Sequence, residues 1–293
     1  MKRIVTIQDI SALGKCSLTA ALPVISALGV ECAVMPTAVL STHTMFKGFT
    51  FHDLTDEMEP TARHWKEQGF AFDAIYTGYL GSFRQIDIVK RFIADFGEGA
   101  RVIVDPAMAD NGKLYAGFTP EFALGMAELC RNADIILPNV TEACFMLGKE
   151  YRKGYDRTYI LELLDGLKGL GAKNCVITGV SFEKDKLGAV KLDGETGEYF
   201  EYFTSRQPES FHGTGDLFAS AVAGGVTRGM TIDDALRLAC DFICESIRLT
   251  IAEKSHNTYG VNFEQAIPYL LKRAEDIENK GKNVMGLSQN RIF

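Results

Sequence analysis

The run Gly213-Thr214-Gly215-Asp216, inside "SFHGTGDLFASAVAGGV" (210–226), places a carboxylate directly after two glycines in a helix-compatible stretch. A helix start leaves about four backbone N–H groups unpaired and carries roughly half a positive charge, so it attracts anions such as phosphate. Gly213 and Gly215 let the backbone approach such an anion closely. A carboxylate beside a polyphosphate is repelled unless it does something else, and two readings stand. In one, Thr214 caps the helix and Asp216 complements the dipole of its first turn. In the other, Asp216 is a base that orients and deprotonates a hydroxyl attacking a phosphate held by neighbouring amides. At a helix N-terminus the carboxylate is expected to have a lowered pKa, which keeps it ionised and leaves orientation as its main task.

Rival phosphate motifs fail. "DISALGKCS" (9–17) has the second glycine and the lysine of a P-loop, but Asp9 replaces the first glycine and Cys16 the magnesium-binding hydroxyl. A dinucleotide fingerprint fails because Phe218 stands where the third glycine belongs. No GxSxG or HExxH occurs. Cys240 and Cys244 lie one helical turn apart with no histidine nearby to complete a metal site, and they read as packing residues.

The elements that must position these groups follow a rhythm. Short β-branched runs at 3–8, 31–41, 74–80, 101–108, 134–139 and 174–180 alternate with helix-period stretches near 17–28, 53–69, 84–96, 119–131, 141–148 and 157–170. That pattern predicts a mostly parallel, doubly wound sheet between two helical layers, a three-layer α/β/α fold. Runs at 187–193 and 197–206 predict an antiparallel edge hairpin, followed by helices near 214–228, 231–252 and 262–276. No linker or repeat interrupts the chain, so residues 1–293 are expected to form one domain. Ligands of such sheets sit at the carboxyl ends of the strands. There the sequence offers Gln8-Asp9, "STHT" (41–44), "TGY" (77–79), Asp105-Pro106, Pro138-Asn139 with Glu142, and Thr178-Gly179. "ADNGKLYAGFTP" (109–120), with Gly112 and Gly117, is a candidate lid or an ordinary solvated connection.

With 46% hydrophobic residues the chain can build a substantial core. Its net charge of −7, with dispersed basic residues, excludes an electrostatic footprint for nucleic acid or an anionic membrane. No apolar run approaches the roughly 20 residues that span a bilayer. Seven cysteines without a CxxC, and no secretory apolar region after "MKRIVTIQD", predict a reducing, cytoplasmic setting.

In order, "STHTMF" (41–46), "TGYLGS" (77–82), "VDPAM" (104–108), "ILPNVTEA" (136–143) and "GTGD" (213–216) resemble the motifs of the pyridoxal kinase family, within the ribokinase-like superfamily. The resemblance spans residues 4 to about 250; the interval from 9 to 74 holds too few strand signals for the small β lid that sugar kinases of the superfamily insert, so no separate lid domain is expected. The resemblance implies an ATP-dependent kinase that phosphorylates the 5′-hydroxymethyl group of pyridoxal, pyridoxamine or pyridoxine in vitamin B6 salvage, with magnesium, usually as a homodimer. It leaves a monovalent-cation requirement open. By the same resemblance Asp216 is the catalytic base, and the amides of Gly213, Thr214 and Gly215 form the anion hole. Asp9, His43, Thr44 and Tyr79 surround the vitamer ring; Asn139, Thr178 and Gly179 lie near ATP; Asp105 and Glu142 serve the metal. Each has a plainer account: His43 as a structural histidine, Tyr79 as closure of a sheet end, Asn139 and Glu142 as a capping box, and Asp9 as the cap of a following turn.

Two departures bear on the substrate. Asp9 stands where the best-known members carry serine, and Leu40 replaces an aromatic of the ring pocket, so that pocket is expected to be less aromatic and more acidic. Hydroxymethylpyrimidine kinases share the fold and have an aspartate near the end of the first strand, which makes them the alternative. They usually carry cysteine where this chain has Asp216. A non-catalytic vitamer-binding protein of the same fold is the reading from a different class.

Overall fold

A computed structural model of the chain describes residues 1–289, with side chains through residue 280. β1 (Arg3–Leu13), α1 (Ser17–Ala27), β2 (Glu31–Thr42), β3 (Phe51–Asp53) and α2 (Thr55–Glu67) come first. They are followed by β4 (Ala74–Thr77), α3 (Phe83–Phe96), β5 (Arg101–Val104), β6 (Ala109–Asp110), β7 (Lys113–Leu114) and α4 (Pro120–Cys130). Then β8 (Ile135–Ile136), α5 (Val140–Leu147), α6 (Arg157–Gly169), β9 (Asn174–Val180), β10 (Lys186–Asp193) and β11 (Tyr199–Ser205) lead to α7 (Thr214–Arg228), α8 (Ile232–Ala252) and α9 (Phe263–Gln289).

The main sheet runs β11-β10-β9-β8-β5-β4-β1-β2-β3. Its six central strands are parallel and its two margins antiparallel. Alternation along β1 shows how both faces are covered. Val5 and Ile7 enter a core shared with Met58, Phe92, Met126 and Leu163 of α2, α3, α4 and α6. Ile4 enters the opposite core, with Val24, Val222, Phe242 and Leu270 of α1, α7, α8 and α9. Each such side chain stabilises the fold by about 1.5–3 kcal/mol when fully buried. Helices begin where the sequence supplies a cap: Thr119 ahead of Pro120, Asp156 and Thr231 each accept a backbone N–H. The doubly wound sheet and edge hairpin match the sequence expectation. The single domain expected through residue 293 runs past the described residues at its end.

Three features differ from that expectation. β1 does not stop at Gln8-Asp9; it continues to Leu13 beside the extended end of β2, with a register shift between Gln8 and Ile10. This bulge re-aims Asp9, as bulges beside functional sites commonly do. β3 adds an antiparallel margin at the other edge; it has only three residues, all exposed, so no alternation marks it. The candidate lid contains the β6–β7 hairpin, turned by Asn111 and Gly112, both at positive φ. That Asn-Gly pair is a strong hairpin signal.

The order of strands reverses at β1, which lies between β2 and β4. Crevices at such switch points are where doubly wound sheets bind ligands.

Candidate active site

At that crevice, across the carboxyl ends of the strands, lies a cavity of ≈360 Å³, and every site residue singled out in the sequence lines it. Sheet order spreads them along it. His43 and Thr44 follow β2, Asp9 sits in β1 and Tyr79 follows β4; Asp105 follows β5, Asn139 and Glu142 follow β8, and Thr178 and Gly179 belong to β9. The start of α7 lines the same cavity.

Gly213, not Thr214, occupies the N-cap position of α7; it has φ +79° and offers no side-chain cap. A Cβ at this position would stand 2.0 Å from the carbonyl oxygen of Lys15, so glycine is required both by conformation and by the close approach of the β1–α1 loop. Thr214 turns its hydroxyl back to the Phe211 carbonyl, at 3.1 Å. The first turn therefore keeps its amides free of side-chain caps. Gly215 is different: a Cβ there would meet nothing within 4 Å among the described residues. Open space over uncapped amides leaves room for an anion at the turn.

Asp216 lies in the first turn of α7, near the backbone of Ser17. Its pKa is not lowered but raised to about 7, because desolvation outweighs the favourable pull of the Ser17 amide and the nearby Asp9 charge adds to the rise. The expected dipole effect does not prevail in so enclosed a position. A carboxylate titrating near neutrality is suited to accept a proton.

Asp9 is buried, and the Ser11 hydroxyl donates to it at 3.1 Å. It lies inside β1, so the turn-capping alternative does not hold. Burial raises its pKa while hydrogen bonds from Ser17 and Ser11 oppose the rise. His43, His212 and Tyr79 line the same cavity. His43 stacks on His212 with ring centroids 4.3 Å apart and lies 4.9 Å from Phe46, and Tyr79 packs 5.4 Å from Phe118. Leu40 lines the cavity as expected, yet His212 restores aromatic surface. The pocket is more acidic than the family pattern, as Asp9 implied, but it is not poor in aromatic rings. Burial lowers the pKa of His43, and burial together with His43 lowers that of His212 to about 4, so both rings are neutral at pH 7. Burial, reinforced by Asp9, pushes the Tyr79 phenol up to about 12, so it stays protonated. His43 Nε2 has no hydrogen-bond partner among the described residues. Thr44 is exposed at the cavity edge.

Asn139 and Glu142 form the capping box that the sequence allowed. Glu142 does more than cap. One oxygen accepts from Asn139 N at 2.8 Å; the other accepts from Met108 N at 3.0 Å and Ala109 N at 3.3 Å, which ties the β6–β7 hairpin to α5. The Asn139 amide donates to the Ala109 carbonyl at 2.8 Å, and the Thr141 hydroxyl accepts from Gly112 N at 3.0 Å. These bonds hold the base of the candidate lid in place. Thr178 N donates to Pro138 O at 2.9 Å, joining β9 to the loop before α5.

Asp105, buried beside Glu142 and Asp216, has its pKa driven upward, first by desolvation and then by both negative neighbours. Glu142 is raised by the same burial, opposed by its three amide donors. Buried carboxylates that repel one another create a site for a hard cation. Magnesium keeps several waters and needs only one or two protein carboxylates. Asp105, whose carboxylate makes no side-chain hydrogen bond among the described residues, fits direct contact; Glu142, engaged by three amides, fits as a neighbouring charge. No three His, Cys, Asp or Glu among the described residues form a complete cage.

Three contributors were not evident from sequence. His212 stands directly before the GTGD run and could have been found by extending that motif one residue upstream. Ser11 and Ser17 lie in the stretch dismissed as a failed P-loop, and only the bulge and the fold of the β1–α1 loop bring them to Asp9.

A mostly parallel sheet between two helical layers, with an antiparallel hairpin edge and a glycine turn opening a late helix onto the crevice, is the ribokinase-like architecture. Within it, the chain belongs to the phosphomethylpyrimidine kinase family, whose profile matches residues 16–261. A Bacteroides thetaiotaomicron protein assigned as a phosphomethylpyrimidine kinase superposes with a TM-score of 0.88 at 37% identity, over 92% of this chain and 93% of its own. That protein has also been solved with pyridoxal. Pyridoxal kinase from Lactobacillus plantarum superposes with a TM-score of 0.85 at 31% identity, over 94% of this chain and 99% of its own. Bacillus subtilis pyridoxine kinase is 31% identical over 182 residues, which are 61% of this chain and 65% of that enzyme.

Proposed function

We propose that the protein is an ATP-dependent kinase that transfers the γ-phosphoryl group to the 5′-hydroxymethyl of pyridoxal, pyridoxamine or pyridoxine. The observation that carries this reading is Asp216, with its pKa near 7, beside the uncapped amides of the α7 turn and facing the cavity that Asp9 and the His43–His212 stack enclose. The Bacteroides relative solved with pyridoxal supports the vitamer assignment.

The roles divide along the sheet. The His43–His212 stack and Tyr79 sandwich the ring, Thr44 closes its edge, and Asp9 accepts a hydrogen bond from a ring or amine nitrogen. Asp216 aligns the hydroxyl and takes its proton. The amides of Gly213, Thr214 and Gly215 hold the oxygens of the transferring group, where preorganised donors stabilise charge without reorganisation. Thr178 and Gly179 face the nucleotide; Asn139, its side chain engaged in two structural bonds, acts there through the loop it fixes. Asp105, with Glu142 behind it, would hold magnesium, which would supply neutralisation of phosphate charge. The same reading takes residues 1–293 as one kinase domain working as a homodimer in the cytoplasm. Exposed Leu13, Val39, Met45, Phe46 and Phe51 around the β2–β3 margin give such a dimer an apolar surface to bury. Among the described residues no helix is long and apolar enough to cross a membrane.

A hydroxymethylpyrimidine kinase is the second reading, favoured by the family profile and by Asp9. Incubation with magnesium, ATP and pyridoxal, followed by identification of the product, tests the first. A 5′-phosphate ester is expected; ADP release without a phosphorylated vitamer contradicts it.

A further inference from the structure

Lys15, the residue that lends the β1–α1 loop its likeness to a P-loop, commits its ammonium elsewhere. Nζ donates to Asn262 Oδ1 at 3.1 Å and to Glu264 Oε2 at 2.8 Å, where α9 begins. The lysine side chain is 16% exposed and that of Glu264 57%, an ion pair half open to water that contributes little stability by itself. Its use lies in where it holds the chain. Gly260 has no positive φ, yet a Cβ there would stand 2.6 Å from Lys15 Cβ and 3.2 Å from its Cγ, so the lysine stem is what excludes a side chain. The Lys15 carbonyl makes the same demand of Gly213, and a Cβ on neighbouring Gly14 would stand 3.1 Å from His43 Cδ2. We propose that Lys15 is a positioning residue, which pins the α8–α9 loop (residues 253–262) against the β1–α1 loop and so fixes the His43 face of the ring pocket. This deepens the kinase reading above and rests on it.

The loop reaches the pocket through Tyr259, next to Gly260. Its ring packs on His43 and Phe46, with centroids 6.4 and 5.9 Å apart, and His43 in turn stacks on His212, the residue before Gly213. The first half of the loop has its own tether: His256 Nε2 lies 3.2 Å from Glu209 Oε2, and its ring meets that of Phe211, which lines the cavity, at 5.7 Å. With that tether alone Tyr259 could swing off His43; Lys15 supplies the second tether, on the far side of Tyr259. Just beyond, the Asn262 N–H donates to the buried Thr250 hydroxyl at 2.7 Å, a bond that reports whether the loop is seated. A phosphate contact for the lysine lacks such support. Two acceptors already engage its ammonium, and it is not among the described residues that line the cavity. Holding a ring pocket in shape acts on how tightly the ring binds and leaves the transfer step alone.

Lys15→Met keeps most of the stem against Gly260 and removes the ammonium. Kinetics are measured on whichever of the three vitamers or hydroxymethylpyrimidine the wild type turns over, so failure of the vitamer assignment leaves this test intact. The expected result is a rise in KM for the ring substrate of more than about threefold, while kcat and KM for ATP stay within about twofold of wild type. Hydrogen exchange gives a readout that needs no turnover. The Asn262 N–H should exchange at least about threefold faster in Lys15→Met, with the start of α7 unchanged because the Lys15 carbonyl still opposes Gly213. Glu264→Ala, a change at an exposed side chain, should move both readouts the same way but less, since Asn262 still holds the ammonium. A raised KM for ATP in Lys15→Met with an unchanged ring-substrate KM overturns the proposal in favour of a phosphate contact. A ring-substrate KM within about threefold of wild type, or unchanged exchange at Asn262, overturns it as well. A lowered melting temperature with both KM values unchanged does so by leaving Lys15 a structural role alone.

Discussion

Asp216 is pulled in opposite directions, toward ionisation by the helix start and the Ser17 amide, and toward neutrality by burial and Asp9. Burial prevails, and consequences follow for rate and stability. The acid limb of kcat/KM is expected near pH 7 rather than near 4, since below that point the carboxyl already holds a proton. Asp216→Asn should lose roughly 10²- to 10⁴-fold in kcat while still binding ATP; a variant within tenfold of wild type returns Asp216 to a merely electrostatic role. The stability effect has the opposite sign. The folded pKa lies above the unfolded value of 3.8, so the folded state binds the proton more tightly, and stability from this group is lost as pH rises from about 4 to about 7. Asp216→Asn should therefore melt higher than wild type at pH 8, with the difference shrinking toward pH 4. The flanking glycines offer a second contrast. Gly213→Ala meets the Lys15 carbonyl and a φ of +79°, and should destabilise by more than about 1–3 kcal/mol. Gly215→Ala meets open space inside a helix and should be as stable as wild type or slightly more so, yet raise the KM for ATP. Asp9 gives the third test. If it pairs with an amine, Asp9→Ser lowers kcat/KM for pyridoxamine about tenfold or more and that for pyridoxal less, as expected for a charge-assisted bond. Equal losses point to the ring nitrogen, and no loss removes Asp9 from the site.

Among the elements, α5 and the β6–β7 hairpin show how far the sequence could be read. The spacing of Asn139 and Glu142 announced a capping box, and the box is present. Its second function was invisible, because the amides of Met108 and Ala109 lie more than thirty residues away in the chain and meet Glu142 only in the folded state. Glutamine at 142 retains a single acceptor oxygen and turns an NH2 group toward backbone donors, so it cannot replace the carboxylate. Glu142→Gln should cost about 1–3 kcal/mol, read as a lower melting temperature, and should raise the magnesium concentration needed for half-maximal rate as the hairpin beside Asp105 loosens. A wild-type melting temperature contradicts the three-amide account. The parallel strands and most helices were legible because they are long, buried and periodic. β3 and the extension of β1 were not, since edge pairing and a bulge depend on a neighbour's backbone more than on side-chain pattern. The same bulge hid the connection of Ser11 and Ser17 to Asp9.

For the whole molecule, the decisive arrangement is the reversal of strand order at β1, which gathers loops from widely separated parts of the chain into one crevice. The cavity draws on β1, β2 and β4 at one end and on β8 and β9 at the other, and α7 enters it from late in the sequence. On the proposed reading the first end holds the ring and the second the nucleotide, with Asp216 where hydroxyl and phosphate meet, an arrangement that suits phosphoryl transfer. The family profile and the relatives admit either a pyridine or a pyrimidine as substrate; on the proposed reading Asp9 and the neutral histidine stack distinguish them. The direct measurement is kcat/KM for pyridoxal, pyridoxamine, pyridoxine and hydroxymethylpyrimidine, determined side by side with magnesium and ATP on the wild type and Asp216→Asn. The prediction is that at least one vitamer is preferred over hydroxymethylpyrimidine and that its turnover collapses in Asp216→Asn; faster turnover of hydroxymethylpyrimidine than of every vitamer contradicts it.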